Sequence, residues 1–366
     1  MTKTWAGSPE LAVFTPPVGD CPETERTQAT VTSNPTSFAE LNKRSLNTDG
    51  SFLSHLYYME TFEYQDRKIC KWQIGASTFL ADPTSGCRLM NWYLSLADGS
   101  IRDVLYWPEN PETDIVGDIY GGNPILFPFA GRCSVDGENG FWIDLENEKR
   151  IMPQHGFARH SDFEIMESRQ DRFTAKLLPN PISEDAYPYD YIFKVTYIFE
   201  ELGFKAELHL INHEPFPIPW APGHHFYFNI PWHSGLQRND YILDLPAKRA
   251  LRHLPDGKLE PEKLDKKKQI YSLGDPKLLN RIHLYLQSNE CKVNPAGGEE
   301  PIYIRILEDL PLNNTRTIVT WAPDENSPYY CIEPWMGPPN SPAHRNGLQF
   351  VNPGQSSTFT VEVSLA

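Results

Sequence analysis

The sequence predicts an all-β protein, built as a large antiparallel β-sandwich with little helix. Three observations carry that expectation. Proline (33) and glycine (23) are plentiful and spread along all 366 residues, which suits many short strands joined by turns. Between them recur short runs rich in β-branched and aromatic residues, at 173–178, 191–200, 204–212, 241–245, 302–307, 317–321 and 358–365, each bounded by turn formers. Apolar residues make up 40% and aromatics 12%, enough for a sizeable core, and all-β folds of this length often run as one unit.

Taken in order, residues 1–60 read as a polar arm rich in Pro, Ser and Thr. Ser37 and Glu40 fit a capping box at the start of one short helix there. Residues 61–366 are assigned to the sandwich. Segments 70–80 and 87–96 read as strands, and 97–100 (ADGS) as a turn into a strand over 101–107. The charged segment 248–268 reads as a solvated loop.

The net charge of −15 argues against a nucleic-acid or anionic-membrane partner, either of which favours a basic face. Six cysteines lie far apart without a CxxC pair, so neither a disulfide framework nor a zinc site is expected. The N-terminal residues contain no uninterrupted apolar stretch of signal-peptide length, and no segment is long enough to span a bilayer. These features predict a cytoplasmic protein with reduced thiols, no metal and no cofactor. They leave the oligomeric state open.

Four motifs carry chemistry. The first, APGHHFYFN at 221–229, sets two histidines side by side among aromatics. In a strand, His225, Tyr227 and Asn229 share one face while His224, Phe226 and Phe228 share the other. One imidazole can then face a cleft while its neighbour is tied into the fold. GGNPILFPFAGR at 121–132 crosses an apolar strand and ends on Arg132, whose guanidinium offers fixed donors to oxygen acceptors. In QHGFAR at 154–159, His155 precedes a glycine at a position that needs its backbone freedom, and Arg159 can brace the loop or a partner carboxylate. CIEPWMGPPN at 331–340 places Glu333 at an apolar strand end, where a carboxylate has to be paired or solvated. Beside it, Trp335 offers an aromatic face for the C–H face of a sugar. Each of these side chains could instead be tying down its own turn.

Together, and in this order, the motifs NPILFP…R, HGFAR, H-x-Y-F-N and E-P-W-x-G-P-P-N resemble the aldose 1-epimerase (galactose mutarotase-like) family. Its first hairpin and last strand are similar to GCRLMNWYL…IRDVLYWP and VNPGQSSTFTVEV. The similarity spans roughly 65–366. It implies the family's supersandwich fold, with His225 as general acid, Glu333 as general base, and His155 and Arg132 binding sugar hydroxyls. A further substrate-binding aspartate is implied between the last two motifs, where Asp275 is the candidate and Asp244 its rival. The chain departs from the pattern in its N-terminal extension and in Phe226, where a small residue or Pro is commoner.

The chemistry suits the residues themselves. Exchanging the anomers of a cyclic aldose breaks and remakes the bond from C1 to the ring oxygen. That requires a base for the anomeric hydroxyl and an acid for the ring oxygen, roles that a carboxylate and an imidazole can fill near neutral pH. The expected partner is therefore a small sugar. Three functions compete: a mutarotase for free hexoses, an epimerase for hexose 6-phosphates, and a non-catalytic sugar-binding domain. Hydrolysis is disfavoured, because a glycosidase usually uses two carboxylates.

Overall fold

In the paired strands Tyr191–Glu200 and Gly203–Asn212, buried and partly exposed positions alternate along their length. That period of two is the signature of a sheet with one face in the core. The computed structural model describes residues 60–254, 258–264, 269–298, 300–307 and 315–366. The expected polar arm and its capping box lie outside them.

Two antiparallel sheets dominate. The first has 13 strands and runs in the spatial order Glu60–Tyr64, Arg67–Ile74, Ser77–Asp82, Arg88–Ser95, Ile101–Leu105, Phe226–Asn229, Tyr329–Trp335, Thr317–Trp321, Arg281–Leu286, Ala247–His253 and Leu259–Glu262. Two short strands, Ile125–Leu126 and Gly223–His224, complete it. The second sheet has nine strands, with Gly203–Asn212, Ser356–Leu365 and Ile302–Leu307 at its centre. The α-helices among the described residues are short, Pro181–Ala186 and Ser341–His344. The first is started by Asn180, whose side chain accepts from the N–H groups of Ile182 and Ser183. None of the helices is long and apolar enough to cross a membrane.

The core lies between the sheets and is strongly aromatic. Phe79 of the larger sheet stacks on Phe199 of the smaller at 4.5 Å, and Trp72 on Phe173 at 4.9 Å. Such pairs contribute about 0.5–1.5 kcal/mol each beyond the apolar area they bury. Phe226 reaches into the same core, 5.7 Å from Phe204. The faces of Phe226–Asn229 and Tyr329–Trp335 that point away from this core form the floor of the site.

Two sequence expectations are corrected. Segment 70–80 is not one strand: Gly75, with φ +55°, turns the chain between Arg67–Ile74 and Ser77–Asp82. The charged segment 248–268 is not merely a solvated loop, since Ala247–His253 and Leu259–Glu262 form a hairpin on the edge of the larger sheet. Its charges pair across strands, with Glu262 lying 3.2 Å from Arg252 and 3.0 Å from Arg281. This cross-strand pairing is what a reading of net charge along the chain cannot see.

Candidate active site

The site begins with a register. Strand Tyr329–Trp335 pairs with Gly223 at Trp335 and with Phe226 at Ile332. Two residues remain between those pairs on each strand, so His225 faces Glu333 and His224 faces Pro334. Pro334 has no N–H, and the ladder lapses there. The N–H of His225 donates instead to Asn123 Oδ1 at 3.0 Å.

Alternation then separates the two histidines. His224 is fully buried in the core, stacked on Phe226 at 5.3 Å and on Phe359 at 6.0 Å. His225 turns to the opposite face, stacked on Tyr227 at 4.7 Å and edge-on to Trp321 at 5.9 Å. Its Nε2 lies 3.3 Å from Glu333 Oε2. The two side chains are close without forming an aligned hydrogen bond, and Glu333 Oε2 and His225 Nδ1 are both buried without a hydrogen-bond partner among the described residues.

His155 reaches the site from a tight turn. It adopts φ +69° and Gly156 adopts φ +73°. A Cβ on Gly156 would fall 1.9 Å from the Phe127 carbonyl oxygen, so only glycine fits. His155 Nδ1 accepts from the Gly131 N–H at 3.2 Å, which leaves the proton of the neutral ring on Nε2. The ring stands edge-on to His225 at 5.5 Å and to Trp335 at 5.6 Å. Arg132, half-buried, donates from Nε to Gln154 Oε1 at 2.9 Å.

These side chains line one cleft of about 630 Å³, within the range of small-molecule sites. Glu333, His225, Tyr227 and Trp335 line it together with Arg132, Gln154, His155 and His253. Arg159, Asp118, Tyr120 and Trp321 complete the lining. A groove of about 790 Å³, lined by Lys205, Arg305, Thr358 and others, is larger. Its charges, however, are matched in surface ion pairs such as Arg305 with Glu290 and Glu362.

Burial dominates the electrostatics of the cleft. It raises the Glu333 carboxyl well above the usual carboxylate range, against the opposing influence of the Trp335 indole. The same desolvation lowers His225 to about 3, helped by Arg159. His155 is held well below its ordinary value, by burial first and then by His225 and Arg159. A site 2% exposed at Glu333 and 7% at His225 thus favours uncharged forms of both.

The structure brings Arg132, His155, His225, Glu333 and Trp335 together. It does not bring Asp275, which instead caps the turn Pro276–Leu278 by accepting from the Lys277 N–H at 3.0 Å and lines a separate depression. Asp244 lies on the nine-stranded sheet opposite Lys292, also away from the cleft. Sequence reasoning overlooked Tyr120, Trp321 and His253. His253 lies inside the charged segment, and nothing local in the sequence separates it from its solvated neighbours.

Residues 80–364 match the sequence profile of the aldose 1-epimerase family. The plasmid form of protein LacX from Lactococcus lactis subsp. lactis is 24% identical over 228 residues, covering 59% of this chain and 74% of that protein. By structure the chain is similar to a galactose mutarotase related enzyme from Lactobacillus acidophilus, with TM-score 0.65 and 18% identity over 81% of this chain and 97% of that one. It is similar also to a galactose mutarotase-like protein from Clostridium acetobutylicum, with TM-score 0.69 and 15% identity over 86% and 99%. The structural likenesses establish a shared fold, and the profile match extends over most of the sandwich. The chain belongs to the aldose 1-epimerase family.

Proposed function

We propose that the protein is a mutarotase that exchanges the α and β anomers of a hexose, with Glu333 and His225 as its acid/base pair. The observation that carries this reading is the 3.3 Å approach of His225 Nε2 to Glu333 Oε2 on the floor of the cleft. This is less than the width of a sugar ring. The closer approach suits the reaction, because the anomeric oxygen and the ring oxygen are both bonded to C1. A base and an acid serving two such oxygens have to converge on one carbon.

In the forward step Glu333 takes the anomeric hydroxyl proton while His225 gives a proton to the ring oxygen. The C1 to ring-oxygen bond breaks and an open-chain aldehyde forms. After rotation about C1–C2 the roles reverse, and the ring closes on either face. Each group contributes roughly 10²–10⁴ to the rate. The pair needs one proton in total, which either partner can hold at the start. The shifts on Glu333 and His225 favour the form in which the empty site keeps that proton on the carboxyl. Its return to the imidazole on sugar binding is part of the proposal. His155 and Arg132 then hold ring hydroxyls, and Trp335 lies along the apolar C–H face.

A second reading, an epimerase of hexose 6-phosphates, is favoured by one observation. Arg132 and Arg159 both line the cleft, and Arg132 meets the neutral Gln154 side chain. Polarimetry across free hexoses and their 6-phosphates, corrected for spontaneous mutarotation, tests both readings. Acceleration confined to the phosphates selects the second, and no acceleration of any sugar removes both.

A further inference from the structure

One fully buried side chain contacts both of the adjacent histidines. Asn123 stands at the start of the Asn-Pro-Ile-Leu run, its backbone N–H bound to the Leu89 carbonyl at 2.8 Å. Its side chain is completely inaccessible, and its polar atoms reach three partners. Oδ1 accepts the His225 backbone N–H at 3.0 Å. Nδ2 lies 2.8 Å from the Tyr197 hydroxyl and 3.0 Å from His224 Nδ1.

The chemistry leaves a single arrangement. A backbone N–H can only donate, so the atom facing His225 must be the amide oxygen. The amide nitrogen therefore faces His224, whose Nδ1 must accept, and the proton of that ring lies on Nε2. One side chain thus holds His224 inward by its ring and His225 by its backbone. On the side of Tyr329–Trp335 the ladder lapses opposite Pro334 between the pairs at Gly223 and Phe226, while on the other side Gly223 and His224 pair with Leu126 and Ile125, in the short strand that Asn123 leads into. The pairing stops at His224, and the His225 N–H is held by Asn123; a slip of one residue there would exchange the two imidazoles between core and cleft.

We propose that Asn123 is the positioning residue for the acid/base pair, locking the His224–His225 step so that His225 meets Glu333. This rests on the mutarotase reading for its kinetic consequence, but its structural content is independent of that reading. Asn123 does not touch the sugar. It acts through His225.

The test compares three variants of the full chain. Asn123→Ala removes every bond of the amide and is expected to lower kcat about 10²-fold with KM within about threefold of wild type, the cost of misplacing a catalytic group by about an ångström. Asn123→Asp keeps an acceptor for the His225 N–H and lets His224 donate instead, so its kcat falls between wild type and Asn123→Ala. Tyr197→Phe removes only the hydroxyl partner and leaves kcat near wild type, whatever it does to thermal stability. Histidine NMR supplies a readout apart from activity: the His225 ring signals shift in Asn123→Ala and stay in place in Tyr197→Phe. If Asn123→Ala does not fold, Asn123→Asp carries the comparison. The proposal is overturned if the folded Asn123 variants turn over like wild type, if Tyr197→Phe loses as much kcat as they do, or if the His225 signals do not move. A wild-type protein that accelerates no mutarotation removes the functional reading instead, and the NMR comparison still decides the role of Asn123.

Discussion

His225 and Glu333 are cross-strand neighbours. The register that sets Gly223 against Trp335 and Phe226 against Ile332 brings them face to face, with Nε2 and Oε2 3.3 Å apart. Directly opposed residues of an antiparallel pair have Cβ atoms about 4.5–5.5 Å apart. The geometry of the proposed acid/base pair is therefore a property of sheet pairing rather than of a loop. Several consequences can be measured.

Glu333→Gln keeps the shape of the side chain and removes its proton chemistry. Turnover should fall by roughly 10² or more, while stability at neutral pH should rise. The sign follows from linkage. Burial raises the Glu333 pKa in the folded state, so above pH 4.5 the unfolded chain loses this proton while the folded chain keeps it. Stability is then fully present below the unfolded pKa and is lost as pH rises, by up to about 1.4 kcal/mol per pH unit. Denaturant melts at pH 4 and pH 8 should show Glu333→Gln and wild type converging at the acid end and separating at the alkaline end. Wild-type turnover in Glu333→Gln would end the assignment.

The adjacent histidines should respond in opposite ways. His225→Asn should lower kcat by about two orders of magnitude with little change in melting temperature. His224→Asn should retain turnover within a few-fold and lose about 1–3 kcal/mol, since it disturbs stacked core contacts and a buried hydrogen bond. The reverse pattern would mean that His224 is the cleft residue.

The pH profile should be unusually broad. Burial lowers His225 to about 3 and raises Glu333 above the ordinary carboxylate range, so the pair holds a single proton across the interval between them. Polarimetric kcat/KM should stay level as pH falls through the ordinary histidine range and decline only towards about pH 3. A rate that drops as pH falls through 6.5, the ordinary value for histidine, would show that His225 is not desolvated as the structure has it.

Gly156→Ala tests the turn that delivers His155. The new Cβ would fall 1.9 Å from the Phe127 carbonyl oxygen, at a backbone φ of +73°. Backbone strain of this kind costs about 1–3 kcal/mol, and the close contact adds to it. Thermal unfolding should reveal the loss, and KM should rise as His155 is displaced from the cleft wall. An unchanged melting temperature and KM would show that the turn relaxes freely.

Much of this was legible in the chain itself, and the reason is range. Alternation along a strand has a period of two and is decided locally, so the separation of His225 and Tyr227 from His224 and Phe226 could be written from the residues alone. The β-sandwich and the need for glycine after His155 have the same local origin. Asp275 shows where local reading stops. The family resemblance implied a substrate-binding aspartate between the last two motifs, yet the Asp275 side chain satisfies a backbone N–H two residues on, as aspartates before a turn commonly do. Tyr120, Trp321 and His253 carried no signal, because each enters the cleft only through strand order. That order sets Phe226–Asn229 between Ile101–Leu105 and Tyr329–Trp335, and it brings Asn123 against a ladder that Pro334 has opened. Which face a side chain takes is a short-range matter of backbone geometry. Which residues it meets there is decided by long-range pairing, and only the tertiary structure contains that.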